Sequence, residues 1–224
     1  MPEKENAKLL SLLDTVIDCY LDKWEPVGSK FLNSLEAVDY APSTLRKYLN
    51  TLEKQWMVYQ PYNSSWRMPT IQWLSTYLDT ALAEIPQDID IQLDSARKWL
   101  RSLVEALWEV ADWVVVWFIR NDEYYYLWIN NLLRDDMIDE YSATRTIIRF
   151  IEDKKIVAFI DKKILKNWEV YYTFVKDADT VISCIYAKVN LDWYDAVVSI
   201  VGPIRVNYKK NIAILKKVLE SLNN

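Results

Sequence analysis

Directly after Pro42 the chain reads Ser43-Thr-Leu-Arg-Lys47, two hydroxyls and two cations within five residues. Pro is well placed at the first position of a helix, where its missing N–H would be unsatisfied anyway, so this cluster falls in a helix's opening turns. Side chains there, with the first amides, suit phosphate oxygens and base edges. Catalytic chemistry is harder to assemble. The chain has no His, which removes the usual general base, the commonest metal ligand and any His-based triad. Cys19 and Cys184 are far apart in apolar surroundings, the pattern of two unpaired thiols in a reducing, cytoplasmic setting. Asp135, Asp136, Asp139 and Glu140 do not follow a calcium-loop pattern and read as a solvated charge run. With no Gly-rich phosphate loop either, the residues predict a chain that is not an enzyme and needs no cofactor.

The elements that must position Ser43, Thr44, Arg46 and Lys47 follow from apolar spacing. Leu9, Leu10, Leu13, Val16, Ile17 and Tyr20 recur at three and four, predicting a first helix over Glu5–Leu21 that stops before Pro26. Gly28 and Ser29 precede a short second helix carrying Phe31, Leu32 and Leu35, with Ser29 as its expected N-cap. A third helix is predicted from Ser43 to Gln55, with Leu45, Tyr48, Leu49 and Leu52 inward. Met57–Gln60 and Arg67–Thr70 can form two short strands around a polar tip, and helical spacing returns over Ile71–Leu82. Three helices and a small hairpin is the order of a winged helix-turn-helix, whose third helix enters the major groove.

The remainder predicts a second domain over 91–224, reached through a polar junction containing Glu84, Pro86, Gln87 and Asp88. Helices are expected over Ile91–Val110, Asn131–Phe150 (with a break) and Asn211–Leu222. Strands are expected at Val114–Ile119, Glu123–Leu127, Glu169–Val175, Val181–Lys188 and Ala196–Val201, while Val157–Ile164 fits either state. The class is α+β, with a sheet of four to six strands packed by helices. The longest strongly apolar run, Trp113–Ile119, is too short for a membrane span. The net charge is −5, yet Arg46, Lys47, Lys54 and Arg67 against Glu53 give a local balance of +3. DNA binding needs only such a patch.

Four ordered motifs carry a family resemblance: Pro26-Val-Gly-Ser-Lys30; Ala41-Pro-Ser-Thr-Leu-Arg46 followed by Leu52-Glu53; Pro61-Tyr-Asn-Ser-Ser-Trp-Arg-Met-Pro-Thr70; and Val201-Gly-Pro-Ile-Arg-Val-Asn-Tyr208. The chain resembles the bacterial heat-inducible transcription repressors that control chaperone operons, most closely over residues 9–79 and 181–215. The resemblance implies a winged helix-turn-helix over 1–82 and a GAF-like domain over 91–224 in which the usual dimerisation insertion is reduced or missing. It implies a homodimer that binds double-stranded DNA at an inverted repeat, with a chaperonin helping to keep it active. Ser29 and Lys30 would anchor phosphate at the second helix; Ser43, Thr44, Arg46 and Lys47 would contact DNA from the third. Tyr62, where the family often has His, would join Ser64, Ser65 and Arg67 in the wing, with Arg67 the strongest candidate there. Lys47 replaces a usual Asn, which favours phosphate or guanine over adenine reading. Gly28, Gly202, Pro203, Arg205, Asn207 and Tyr208 would be structural. The alternative reading is a chaperonin-interacting paralogue without operator specificity.

One compositional feature stands out. The chain has 2 Gly and 11 Trp, where average usage would give roughly 16 Gly. Trp24, Trp56, Trp66, Trp73, Trp128, Trp168 and Trp193 fall where the family pattern has Gly, as if UGA codons that mean glycine had been read as tryptophan. Trp56 and Trp66 sit in expected turns, where positive φ is cheap only for Gly. Trp113 and Trp117, in a Val-rich run, fit a core.

Overall fold

A computed structural model describes residues 3–23, 25–61, 66–84, 107, 110, 111, 113–119, 124–127, 141–160, 162, 163, 165–177, 180–191 and 194–223. The fold is α+β, and the chain divides into two compact units, Met1–Glu84 and Ile85–Asn224.

In the first unit, helix α1 (Glu3–Lys23) buries most of the stripe predicted from its spacing: Leu9, Leu13, Val16, Ile17 and Tyr20 are each no more than 2% exposed, but Leu10 is 37% exposed. Strand β1 (Val27–Gly28) and helix α2 (Ser29–Asn33) follow Pro26. Helix α3 (Pro42–Lys54) has Pro at its start and turns Leu45, Leu49 and Leu52 fully inward. Burying such side chains stabilises by about 1.5–3 kcal/mol each. Strands β2 (Val58–Tyr59) and β3 (Trp66–Pro69) lead into helix α4 (Ile71–Glu84). The strands form an antiparallel sheet in the order β1-β3-β2, with Val27 opposite Arg67 and Tyr59 opposite Met68. Tyr77 of α4 donates its hydroxyl hydrogen to the Asp18 carboxylate of α1, fastening the last helix to the first.

One capping expectation needs correction. Gly28, not Ser29, is the N-cap of α2, and Ala41 is the N-cap of α3; neither makes a side-chain cap bond. Ser43 therefore lies inside the first turn of α3, exposed and uncommitted to capping.

The second unit is built on a five-stranded antiparallel sheet, ordered β5-β4-β8-β7-β6. Its strands are β4 (Val114–Ile119), β5 (Tyr124–Leu127), β6 (Val170–Asp177), β7 (Thr180–Leu191) and β8 (Tyr194–Pro203). On β4, β7 and β8 consecutive residues are buried, Val114, Val115 and Val116 completely, so both faces of the central strands are covered. That is why these segments read as continuous apolar runs rather than alternating ones. Helices α5 (Tyr141–Glu152) and α6 (Lys155–Ile160) follow the first two strands, and α7 (Tyr208–Asn223) closes the unit. The segment that fitted either state is helical over α6, where Ile156 and Ile160, four apart, are buried. Leu107 and Val110 are helical; the rest of the helix expected over 91–110, and the stretch 131–140, lie outside the described residues.

The closing motif is structural in a specific way. Asn207 caps α7, its Oδ1 accepting from the Lys210 amide at 3.0 Å, an N-cap to N3 bond. The Tyr208 hydroxyl donates to the Ile204 carbonyl at 2.6 Å while its ring meets Phe174 of β6 edge-on at 5.9 Å. Pro203 ends β8 and Arg205 is half-buried in the turn that follows. Neither glycine has positive φ. A Cβ on Gly202 would stand 2.9 Å from the Trp113 ring and from Val206, so close packing, not backbone freedom, requires glycine there.

Candidate nucleic-acid interface

Helix α3 has two working faces. Leu45, Leu49 and Leu52 hold it to the core, and the opposite side presents Ser43, Arg46, Lys47 and Asn50, spaced at three and four. Residues so spaced share a helix face. Ser43, Arg46 and Lys47 are exposed and Thr44 is half-buried. Lys30 of α2 is exposed as well. Among the described residues Lys30, Arg46 and Lys47 have no carboxylate partner, although Lys23 of α1 is held 3.8 Å over the Phe31 ring. Lys23, Lys30 and Arg46 line a cavity of about 370 Å³, together with Phe31, Trp66 and a single acid, Glu25. Cys19 also reaches it, and burial, then Asp22 and Asp18, raise that thiol above its ordinary range. A thiol so placed is a poor nucleophile at neutral pH. Three cations against one acid, beside aromatic surface, suit an anion.

Ser29 is 3% exposed and lines the same cavity as Lys30 and Arg46. Arg67 corrects the sequence reading. Arg67 is 5% exposed and turned inward from β3. Its Nη2 donates to Asn50 Oδ1 at 2.7 Å and lies 2.9 Å from Glu53 Oε2, both on α3. A guanidinium so enclosed does not follow a phosphate backbone. It fixes the returning strand of the hairpin to the helix that carries Arg46 and Lys47, by a charge-assisted pair of the stronger kind. Asn50 and Glu53 are thus site-building residues that sequence spacing did not single out. The only hint was Glu53 inside the Leu52-Glu53 motif. Tyr62, Ser64 and Ser65 lie outside the described residues.

The hairpin meets α3 through a tight helix end. The Trp56 amide donates to the Glu53 carbonyl and the Met57 amide to the Leu52 carbonyl, each at 3.0 Å. This pair of bonds is a Schellman motif. Trp56 has φ of 59°, the expected backbone for a turn residue. Trp66 does not: it lies in β3, opposite Gly28, in extended conformation.

No family model matches the chain. Curated relatives do. The chain is 35% identical over 85 residues to the heat-inducible transcription repressor HrcA of Xylella fastidiosa (strain M12), covering 38% of this chain and 24% of that one. It is 35% identical over 86 residues to the protein of the same name from Nitrosomonas eutropha, with the same coverage. The match thus spans about a quarter of the relatives' length. Their name describes a non-enzymatic role. The backbone is also similar to a crystal structure of a hypothetical protein, with a TM-score of 0.77 at 12% identity over 95% of this chain and 96% of that one, a likeness of fold alone. Over the matched 34–38% of its length, the chain is similar to heat-inducible transcription repressors.

Proposed function

We propose that the chain is a DNA-binding transcriptional repressor whose first 82 residues form a winged helix-turn-helix with α3 as the recognition helix. The observation that carries this reading is the set of exposed cations Lys30, Arg46 and Lys47 around the start of α3, without a carboxylate partner among the described residues, in a chain whose net charge is −5. Cations held without carboxylates are available to phosphates, and phosphate contacts supply most of the affinity for a duplex. Ser43 and Thr44, in the first turn, together with Arg46 and Lys47, read base edges or backbone. The hairpin tip with Tyr62, Ser64 and Ser65 completes the contact as a wing. The second domain, over 91–224, is a GAF-like sheet-and-helix domain with a reduced dimerisation insertion. It joins two copies into a dimer, so that two recognition helices enter successive major-groove half-sites of an inverted repeat. Such a repressor acts in the cytoplasm, silences chaperone operons at normal temperature, and relies on a chaperonin to stay active. The similarity of the matched segment to heat-inducible transcription repressors supports this assignment.

Footprinting on a duplex carrying an inverted repeat from upstream of a chaperonin operon tests it. The expected result is two protected half-sites whose centres are separated by about 10 bp or a multiple of it. Uniform protection along the duplex would contradict it.

A further inference from the structure

The backbone at positions 56 and 168 has a conformation that its side chain opposes. Among the described residues three non-glycine residues have positive φ, Trp56 at 59°, Lys154 at 54° and Trp168 at 67°, while neither glycine of the chain does. For an L-residue this region brings Cβ against the following carbonyl oxygen, and a bulky residue there is a genuine outlier. Trp56 occupies the position after the C-cap of a Schellman motif, where glycine is the usual residue because it lacks that Cβ. Packing does not compensate, since Trp56 is 80% exposed. Trp168 precedes β6, its amide donating to the Lys188 carbonyl at 2.8 Å, and the bond fixes the turn that demands this φ.

The geometry points to glycine as the residue that the working protein carries at positions 56 and 168, tryptophan there being a glycine codon misread. Position 56 is then the pivot between α3 and the hairpin. Its carbonyl accepts from Thr70 Oγ1 at 3.1 Å, on the return path of the chain, so the residue at 56 sets the direction in which the hairpin leaves α3. The composition agrees, with 2 Gly against 11 Trp. The φ values single out these two positions without reference to any relative. Trp113 and Trp117 differ: they are 3% and 8% exposed, and neither has positive φ. This inference does not rest on DNA binding.

The test compares Trp56→Gly, Trp56→Ala and Trp117→Gly in the full chain by denaturant unfolding, and reads the residue at 56 and 168 in protein isolated from the encoding organism by peptide mass. Trp56→Gly is expected to shift the folding equilibrium about threefold to tenfold toward the folded state, after the entropy that glycine adds to the unfolded chain. Trp56→Ala, which removes the exposed ring but keeps Cβ, is expected to gain less. Trp117→Gly, in the buried strand β4, is expected to lose stability. Native peptides with glycine at both positions are the expected mass result. Tryptophan in either native peptide, or an equal gain from Ala and Gly at 56, would overturn the inference.

Discussion

The two units place their unpaired cations differently. In the second, Lys155 pairs with Asp177 and Lys188 with Asp195 across neighbouring elements, at 2.8 and 2.7 Å, and Lys166 with Glu169 locally at 3.3 Å, while Arg145, Arg149, Lys162, Lys163 and Lys176 have no carboxylate partner among the described residues. In the first, Arg67 is paired and buried, but Lys30, Arg46, Lys47 and Lys54 have no carboxylate partner among the described residues. Pairing a surface charge contributes little, about 0–1 kcal/mol, so the unpaired set costs the fold little and leaves its charge for another molecule. The second unit has a covered sheet and buries side-chain polar atoms of Ser183 and Ser199 in it, and of Asn211 on α7, without hydrogen-bond partners among the described residues. In the first unit Lys30, Arg46 and Lys47 gather at α2 and the opening turns of α3.

The strongest way to break that contrast is Ile185→Ala. Ile185 is fully buried in β7, paired with Ile200 and Tyr172, and its truncation is expected to cost about 3 kcal/mol. Amide exchange should show faster opening in β7 and β8 while α1 and α3 keep their protection. Next comes Arg67→Met, which strands Asn50 and a Glu53 carboxylate that is one-third exposed. A loss of about 2 kcal/mol is expected, below that of a fully buried pair, with exchange quickening over 42–69 and duplex affinity falling with it. Arg46→Ala should leave stability within about 0.5 kcal/mol, as for an exposed site, yet weaken duplex binding by about 1–2 kcal/mol and lower the salt slope by about one. Equal losses of stability from the two Arg variants would erase the distinction between latch and contact.

The smallest effect is a titration. Burial pushes the Cys184 thiol up to about 12 from 9.0. Tyr186 is also raised to about 12, by burial and then by Cys184. The unfolded chain therefore gives up these protons first, so their contribution to stability is intact below pH 9 and drains away as pH rises toward 12. For Cys184 alone the deficit at about pH 10 is about 1 kcal/mol. Unfolding of Cys184→Ala by base should move to higher pH; an unchanged midpoint would show that the thiol is not enclosed in the sheet.

Much of this was legible in the sequence. The helices α1 and α3 follow from apolar spacing, and Ser43, Arg46 and Lys47 fall on the exposed side because Leu45, Leu49 and Leu52 fix the other. Arg67 was misread for a physical reason: it adjoins a polar tip, but along β3 exposure alternates, and the phase that puts Trp66 outward turns Arg67 in. Phase is set by pairing with Val27 and by Asn50 and Glu53 across the unit, which no local pattern encodes. Ser29 failed similarly, because the N-cap fell one residue earlier. The hydroxyls and cations announce their chemistry locally; whether each faces out is a tertiary property.

The most direct test of the central claim is fluorescence anisotropy of the full chain with a labelled inverted-repeat duplex and a scrambled duplex, over a salt series. Preference for the inverted repeat, with affinity falling steeply as salt rises and less steeply for Arg46→Ala, is the predicted result. Equal, weak binding to both duplexes by folded protein would contradict operator recognition and favour a partner-binding role for the chain.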